Sequence, residues 1–340
     1  MDTECARRFI YRNARPLDLA RWRYAFEAGS REDVLAALAA YQNEDGGFGH
    51  GLEADCLNPN STPVQTWAAT QILAEVGMED AEHPIVRGVL RYLETTPDFD
   101  GNFWSGLAGV RSNDDFPHAP WWSYAPEEPP TYNPTASLAG FILRFAPRDS
   151  ALYATAVRIA REAVRWLTQH APIESMHTAA CFVSLYESLA ACGVTDVVDM
   201  AALCGLLRGQ IAHVLTQDTS VWATEYVCKP SLFIASQESA FYPENRALCA
   251  AECAFIDRTQ QEDGTWAITW DWGAYPQDWP VCRNWWKADV IIKNARFVRA
   301  MRNDTIFSSN YPIESRMWYN VMGDERWQNH MRYPKVSCRK

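Results

Sequence analysis

The sequence lacks the features that mark exported and membrane-spanning proteins. It contains no run of about 18 apolar residues, and residues 1–16 carry charges throughout, so we expect no membrane span and no signal peptide. Ten scattered cysteines in 340 residues are too few for a disulfide scaffold. We therefore expect a cytoplasmic protein with reduced thiols.

The sequence also has no excess of basic residues. Lys and Arg number 31 against 42 Asp and Glu, and the formal net charge of −11 argues against a phosphate-backbone binder, so we expect no nucleic-acid partner. What the sequence does have is tryptophan, because its 15 Trp exceed its 14 Tyr and 14 Phe. The 48% hydrophobic and 21% charged residues are typical of a globular chain, so indoles are expected either in packing or at a ligand surface.

Strands with alternating hydrophobicity are missing too, whereas alanine-rich amphipathic segments predict an all-α protein. Ser30 and Asp33 form a capping-box pattern before a helix over 31–42, and Pro63 suits the first position of a helix that ends near Val76. The other helices are expected over 3–13, 17–28, 84–95, 134–145, 150–169, 175–191, 198–216, 231–240, 244–261 and 284–302. About twelve helices, or about six helical hairpins, are therefore predicted.

A turn sequence recurs at the ends of these helices. Residues 42–48 and 260–266 both read Gln-x-x-Asp-Gly-x-aromatic, and weaker copies lie at residues 100–103 and 217–222. The copies indicate a period of roughly 50 residues, which is the length of one helical hairpin. The predicted repeat is therefore a helix, an Asp-Gly-aromatic turn and a second helix.

The two complete turns resemble the QW-type repeats of the terpenoid cyclase and protein prenyltransferase superfamily, whose members fold as an α/α toroid of inner and outer helices around a cavity. The resemblance covers about residues 30–302. It implies one α/α-toroid domain over residues 1–305 with a long loop insert at 101–133, and an irregular tail over 306–340 that packs on it. It also implies structural roles for the glutamine and the aromatic residue of each turn, which are Gln42, Phe48, Gln260 and Trp266.

The catalytic motifs of the known branches of this superfamily are altered here. Residues 112–115 read Ser-Asn-Asp-Asp and lack the first Asp of the Asp-x-Asp-Asp proton donor. Asp55 and Cys56 are adjacent, unlike the Asp-x-Cys zinc ligands, and residues 114–118 end in His where a magnesium motif has Asp. We therefore expect no metal and no other cofactor.

Loops that enter the inner helices of such a toroid would line one mouth of its cavity, and two of them contain clustered carboxylates. Glu53 and Asp55 are close enough for their pKa values to separate, so that one acts as acid and the other as base. Helix capping is the alternative role. The predicted catalytic residues are Asp55, Glu53, Asp114, Asp115 and His118.

Aromatic residues accompany these carboxylates. Indole faces stabilise a carbocation or stack on a sugar ring, and the sequence leaves both uses open, as well as simple packing. The predicted substrate-binding residues are His50, Trp121, Trp122, Tyr132, His177, Tyr226, Trp270, Asp271 and Trp272.

The leading interpretation is an enzyme that acts on an isoprenoid or similar small apolar substrate by acid-initiated cyclisation or isomerisation. A carbohydrate-active α/α-toroid hydrolase or lyase with a carboxylate pair and Trp platforms is one alternative. A non-catalytic ligand-binding toroid is another. An enclosed apolar cavity would favour the isoprenoid, and an open acidic groove lined by Trp would favour the sugar. A homodimer is the assembly we consider.

Overall fold

The computed structural model describes residues 1–194 and 196–302, and in this part of the chain it contains eleven α-helices and no β-strand. The helices are α1 Thr3–Asn13, α2 Pro16–Phe26, α3 Arg31–Ala39, α4 Pro63–Glu75, α5 Pro84–Thr95, α6 Tyr132–Phe145, α7 Ala151–His170, α8 Met176–Ala191, α9 Met200–Val214, α10 Tyr242–Thr259 and α11 Trp279–Arg302. The predicted all-α class is confirmed. The predicted tail over 306–340 lies outside the described residues.

Helices α3 and α4 begin where the sequence predicts. Ser30 accepts a hydrogen bond from the Asp33 amide at 3.0 Å, and Asp33 accepts one from the Ser30 amide at 3.1 Å, so the capping box before α3 is confirmed. Thr62 caps α4, whose first residue is Pro63.

The predicted helix over 231–240 is wrong. Only Pro230–Leu232 is helical there, as a short 3-10 helix. The serine side chains downstream bond the backbone instead: Ser236 accepts from the Glu238 amide and Ser239 from the Phe241 amide, both at 3.3 Å. Such local bonds compete with a helical hydrogen-bond ladder.

Neighbouring helices pack along the chain, and the last helix also packs on the first two. Helix α6 contacts α4, α7 and α8, while α11 contacts α10, α1 and α2. That these pairs close into a toroid stays a prediction. Within residues 1–194 and 196–302, no helix combines the length and the apolarity needed to cross a membrane.

The two complete turns make equivalent bonds. Gln42 Nε2 donates to the carbonyl oxygens of Gly46 at 2.9 Å and of Ile85, in the first turn of α5, at 3.1 Å. Gln260 Nε2 donates to those of Gly264 at 3.1 Å and of Asp2, which caps α1, at 2.9 Å. Each glutamine therefore fixes its own turn and joins it to the start of another helix.

A buried ionic network joins three helices beside the candidate site. The Arg21 guanidinium of α2 donates to Asp18 at 3.1 Å, to Glu75 of α4 at 2.7 Å and to Asp289 of α11 at 2.8 Å. Loss of one partner would leave a buried charge uncompensated, so this network holds the start of α11 against α2 and α4.

Candidate functional site

The loop between the first turn and α4 is fixed by a side chain of the helix that it enters. Gln65 Oε1 accepts a hydrogen bond from the Leu52 amide at 3.0 Å, and Gln65 Nε2 donates to the Asn58 carbonyl at 2.9 Å. Gln65 is fully buried. It therefore holds both ends of the segment that contains Glu53 and Asp55.

The Asp55 carboxylate accepts hydrogen bonds from indole N–H groups more than 200 residues later in the chain. Its Oδ1 accepts hydrogen bonds from Trp272 Nε1 at 2.8 Å and from Trp286 Nε1 at 2.7 Å. Trp270 approaches the same carboxylate and lowers its pKa, although its own indole N–H is buried without a hydrogen-bond partner within 3.5 Å. Asp55 itself is only 4% exposed.

The environments of Glu53 and Asp55 separate their protonation states. Burial raises the pKa of Asp55, and the indole hydrogen bonds oppose that rise. Burial, and next the charge of Asp55, raise the pKa of Glu53 well above its usual range. Glu53 Oε2 accepts the Asp55 amide at 2.9 Å, so the two residues are in contact. Of the two carboxyl groups, Asp55 therefore ionises more readily, and Glu53 keeps its proton to higher pH.

A His–Tyr pair continues from the indoles. The Tyr226 hydroxyl lies 3.0 Å from His177 Nε2 on α8, and the Tyr226 ring packs edge-on against Trp270 with centroids 5.4 Å apart. Burial, followed by the charges of Asp55 and Glu53, raises the pKa of Tyr226 to about 12. The residue is nevertheless 53% exposed, so water reaches its side chain.

Two cations act on Glu53, the largely buried Arg15 and Lys293 of α11. Lys293 of α11 lies with its Nζ 2.7 Å from Asp289 and 5.9 Å from the Trp286 ring centroid. Its charge lowers the pKa of both Glu53 and His177, although burial is the larger influence on each. Lys293 therefore acts on both the carboxyl pair and the His–Tyr pair.

Further polar groups lie on the same side of α8 as His177. Ser184, about two turns along, is 2.8 Å from the Ser137 hydroxyl of α6, which also accepts the Trp67 indole N–H at 3.0 Å. Burial raises the pKa of Glu187 to about 7, although the residue is exposed. The side chains that meet here are mostly polar.

Trp270 also borders an open cleft. With Thr224, Asp271 and Arg283 it lines a cleft of about 420 Å³. A ligand in this cleft would touch the indole that lies beside Asp55. Trp270 therefore lines the cleft and also lies beside Asp55.

The insert binds the Asp55 loop through its backbone and through Ser112 and Asn113, which both accept hydrogen bonds from Asn58 Nδ2 at 2.9 Å. The Ala119 amide donates to the Asp55 carbonyl at 2.8 Å. His118 has its Nδ1 2.6 Å from the Phe116 carbonyl and its Nε2 3.1 Å from Ser123 Oγ, so neither ring nitrogen is free.

Of the acidic residues in the insert, Asp114 makes a structural hydrogen bond and Asp115 is exposed to solvent. Asp114 accepts the Tyr124 amide at 2.9 Å, and Asp115 is exposed. Within the described residues, no hydrogen bond joins either carboxylate to Glu53 or Asp55. The prediction that they are catalytic therefore gains no support from the geometry.

The predicted aromatic residues fall into two groups. Trp122 is fully buried and Trp121 is 37% exposed, so the two neighbours have different surroundings. Tyr132 is buried among Phe103, Trp166 and Phe182, with ring centroids 5.0–5.6 Å away. These residues pack, whereas Trp270, Trp272 and Tyr226 border or bind the carboxyl pair.

The remaining predicted binding residues lie at the edge of the site. His50 Nε2 contacts Asn43 Oδ1 at 2.8 Å, and Asp271 accepts the Gly273 amide at 2.7 Å. Both residues are exposed. Sequence reasoning missed Lys293 and did not include Trp286 among the predicted binding residues. Their spacing of seven residues, which places both on one face of α11, is the signal that would have found them.

Comparison of the chain with protein-family models, curated proteins and solved structures found no match. The resemblance to terpenoid cyclases thus rests on the turn sequences alone and stays a prediction. Among the described residues, no three His, Cys, Asp or Glu side chains are grouped to hold a metal ion. The chemistry of the site is therefore argued from its geometry.

Proposed function

We propose that this protein is an enzyme that acts on a polyhydroxylated, carbohydrate-type substrate as a hydrolase or lyase, with Glu53 as the proton donor. The contact between Glu53 and Asp55, with their protonation states separated by burial and by indole hydrogen bonds, carries the proposal. Pairs of titratable groups with separated pKa values are typical of acid–base catalysis. Glu53 would give its proton to the leaving oxygen.

The strength of the acid favours this substrate class. A carboxyl group with a raised pKa holds its proton to higher pH than usual and suits transfer to a glycosidic oxygen as the bond breaks. An alkene is a far weaker base, and its protonation calls for a stronger acid than a carboxyl with a raised pKa. Glu53 is therefore better matched to an oxygen leaving group.

The surroundings of the pair support a polar substrate as well. Tyr226 and Trp270 offer ring faces on which a sugar can stack, and the Tyr226 hydroxyl with His177 is a second group able to move a proton. Ser137 and Ser184 add hydroxyl groups nearby. In hydrolysis, water would supply the hydroxyl group and return a proton to Glu53.

The scaffold we propose is the α/α toroid. Gln42 joins its turn to α5, and Gln260 joins its turn to α1 in the same way. The packing of α11 on both α10 and α2 also supports a closed ring of hairpins. Such a ring would place α4, α6, α8 and α11 around the carboxyl pair.

Acid-initiated cyclisation of an isoprenoid is the second candidate. The ring faces of Trp270, Trp286 and Tyr226 favour it, because aromatic faces stabilise a carbocation. The raised pKa of Glu53 and the cation at Lys293 count against it.

We also propose a reducing compartment such as the cytoplasm. Nine cysteines fall within the described residues and each is a free thiol. Burial raises the pKa of several of them, Cys56 and Cys282 to about 12, which suits inert core thiols. A homodimer stays a prediction.

The test is a substrate screen of the full chain with matched variants. Neutral and acidic oligosaccharides are assayed for new reducing ends, which report hydrolysis, and for the ultraviolet absorbance of unsaturated products, which reports elimination. Linear isoprenoids are assayed in parallel by mass spectrometry. Glu53→Gln should abolish turnover, whereas Glu82→Gln, at an exposed glutamate, should retain it. Isoprenoid cyclisation without sugar cleavage, or full activity of Glu53→Gln, would overturn the proposal.

A further inference from the structure

The Lys293 ammonium group pairs with Asp289, while most of the Lys293 side chain is exposed to solvent. Asp289 Oδ2 lies 2.7 Å from its Nζ, while the Lys293 side chain is 64% exposed. An ammonium group has three N–H donors, and the contact with Asp289 Oδ2 is an ion pair without the alignment of a hydrogen bond, so it engages at most one of them. The remaining donors are available to a ligand that enters the space beside Trp286.

The acidic partner of Lys293 is itself shared. Asp289 Oδ1 accepts a hydrogen bond from the buried Arg21 at 2.8 Å, so its charge is balanced from two sides. The charges of Lys293 and Arg21 hold the pKa of Asp289 well below its usual range despite burial. Asp289 therefore orients the ammonium group. Because Arg21 is also paired with Asp18 and Glu75, the exposed positive charge here is that of Lys293.

The other acidic groups of this space contribute little negative charge at its open face. Asp55 is 4% exposed, and its Oδ1 is bound by two indole N–H groups. Burial favours the proton on Glu53, and His177 and Tyr226 are both neutral at pH 7 because burial lowers the pKa of the first and raises that of the second. Glu187, whose pKa burial raises to about 7, lies about three turns from His177 along α8. Lys293 is therefore the exposed cation next to Trp286.

We propose that Lys293 binds a carboxylate of the substrate, and that the substrate is accordingly an acidic sugar such as a uronate. This inference rests on the carbohydrate function proposed above. Lys293 Nζ lies 5.9 Å from the Trp286 ring centroid, and Trp286 bonds Asp55 at 2.7 Å, so a carboxylate on Lys293 would bring its sugar ring next to the carboxyl pair. A charge-assisted hydrogen bond of this kind fixes both the position and the class of the substrate.

The experiment measures binding by isothermal titration calorimetry with the full chain. The probes are short galacturonate and glucuronate oligosaccharides, the same oligosaccharides after reduction of their carboxyl groups, and inorganic phosphate. The variants are Lys293→Met, which keeps the apolar stem, and Lys293→Arg, which keeps the charge. Lys287→Met is the matched control, because Lys287 lies on the same helix and pairs with Asp263 at 3.5 Å.

We expect the wild-type chain to bind the acidic oligosaccharides more tightly than the reduced ones. Lys293→Met should weaken the binding of the acidic probes by roughly 10- to 100-fold, with Lys293→Arg restoring part of it and Lys287→Met causing no change. The binding of the reduced probes should be the same in all four proteins. Circular dichroism and thermal unfolding of each variant establish that the folds are comparable.

Two results would overturn this inference while the proposed function stands. One is equal affinity of the wild-type chain for acidic and reduced oligosaccharides, and the other is unchanged binding of the acidic probes to Lys293→Met. Binding of phosphate at Lys293 without binding of any oligosaccharide would also reject the acidic sugar, in favour of another anion. No binding of any sugar to the wild-type chain would reject the carbohydrate function itself, and this inference with it.

Discussion

The Asp55 carboxylate accepts the Trp286 indole N–H at 2.7 Å, although 231 residues separate the two in the sequence. The bond joins the loop before α4 to the first half of α11. Trp272 adds a second indole bond to the same oxygen atom at 2.8 Å. One carboxylate thus fixes two aromatic side chains of the candidate site.

Removal of this carboxylate should destabilise the fold. Asp55→Ala leaves two indole N–H groups without their acceptor, and we expect the free energy of unfolding to fall by about 2–5 kcal/mol. Urea unfolding followed by far-ultraviolet circular dichroism measures the change. Asp115→Ala, at an exposed carboxylate, is the control and should cost no more than about 0.5 kcal/mol. Equal effects of the two substitutions would contradict the importance of the indole bonds.

The raised pKa of Glu53 predicts a specific dependence of stability on pH. The usual value is 4.5, and in the native chain burial and Asp55 move the pKa well above it. Between these two values the native state binds more protons than the unfolded state, so stability is lost as the pH rises through this interval.

Glu53→Gln does not titrate and should avoid that loss. The difference in unfolding free energy, Glu53→Gln minus wild type, should therefore increase as the pH rises above about 4.5 and level off above the native pKa. Urea unfolding over a pH series measures it. A flat difference for Glu53→Gln would show that Glu53 ionises normally.

The pKa of His177 should report the charge of Lys293. Burial lowers this pKa first, and Lys293 lowers it further. In Lys293→Met we expect the His177 pKa to move part of the way back towards 6.5, as measured by NMR titration of the imidazole protons. Lys287→Met should leave it unchanged. A His177 pKa that is the same in wild type and Lys293→Met would place the ammonium group away from the His–Tyr pair.

The adjacent residues Trp121 and Trp122 should differ sharply in their contribution to stability. Trp122 is fully buried, so Trp122→Ala should lower the free energy of unfolding by about 3–5 kcal/mol. Trp121 is 37% exposed, and Trp121→Ala should cost about 1 kcal/mol or less. Chemical unfolding of both variants provides the comparison. A larger loss for Trp121→Ala would mean that the exposed indole holds the insert.

Two glycine substitutions distinguish a steric clash at the first turn from the strain of a positive φ alone. Gly46 and Gly77 both have positive φ, +94° and +66°, but only a Cβ at Gly46 would overlap a neighbour, the Gly88 carbonyl. Gly46→Ala should therefore destabilise the chain more than Gly77→Ala, by about 1–3 kcal/mol. Thermal unfolding of the pair decides this. Equal losses would show that the left-handed conformation alone matters.

Local sequence signals predicted the helices well where the cap and the pattern agree. Pro84 begins α5, and the expected range 84–95 matches the observed one. The segment over 231–240 was not predictable in this way, because backbone amides there donate to the Ser236 and Ser239 hydroxyls instead of forming a helical ladder. Propensity and periodicity do not show which of these two bonding patterns is lower in free energy.

The candidate site was only partly predictable from the sequence. Glu53 and Asp55 stand two residues apart after a repeat turn, which a reading of the chain can detect. Trp286, an indole partner of Asp55, comes from α11, and only its seven-residue spacing from Lys293 sets it apart from Trp285. Trp285 packs instead near Arg15, with 5.2 Å from guanidinium to ring centroid. Contacts across more than 200 residues depend on tertiary packing, so they required the structure.

The bond between Asp2 and Gln260 has a consequence for the order of events during synthesis. Helix α1 leaves the ribosome well before α10, and the side chain that accepts the Asp2 amide at 2.5 Å and donates to its carbonyl at 2.9 Å is made 258 residues later. Until residues 260–266 emerge, the start of α1 has no partner from this turn. A nascent chain that stalls earlier keeps this edge open to solvent and to other chains, so the late residues complete the fold of the earliest ones.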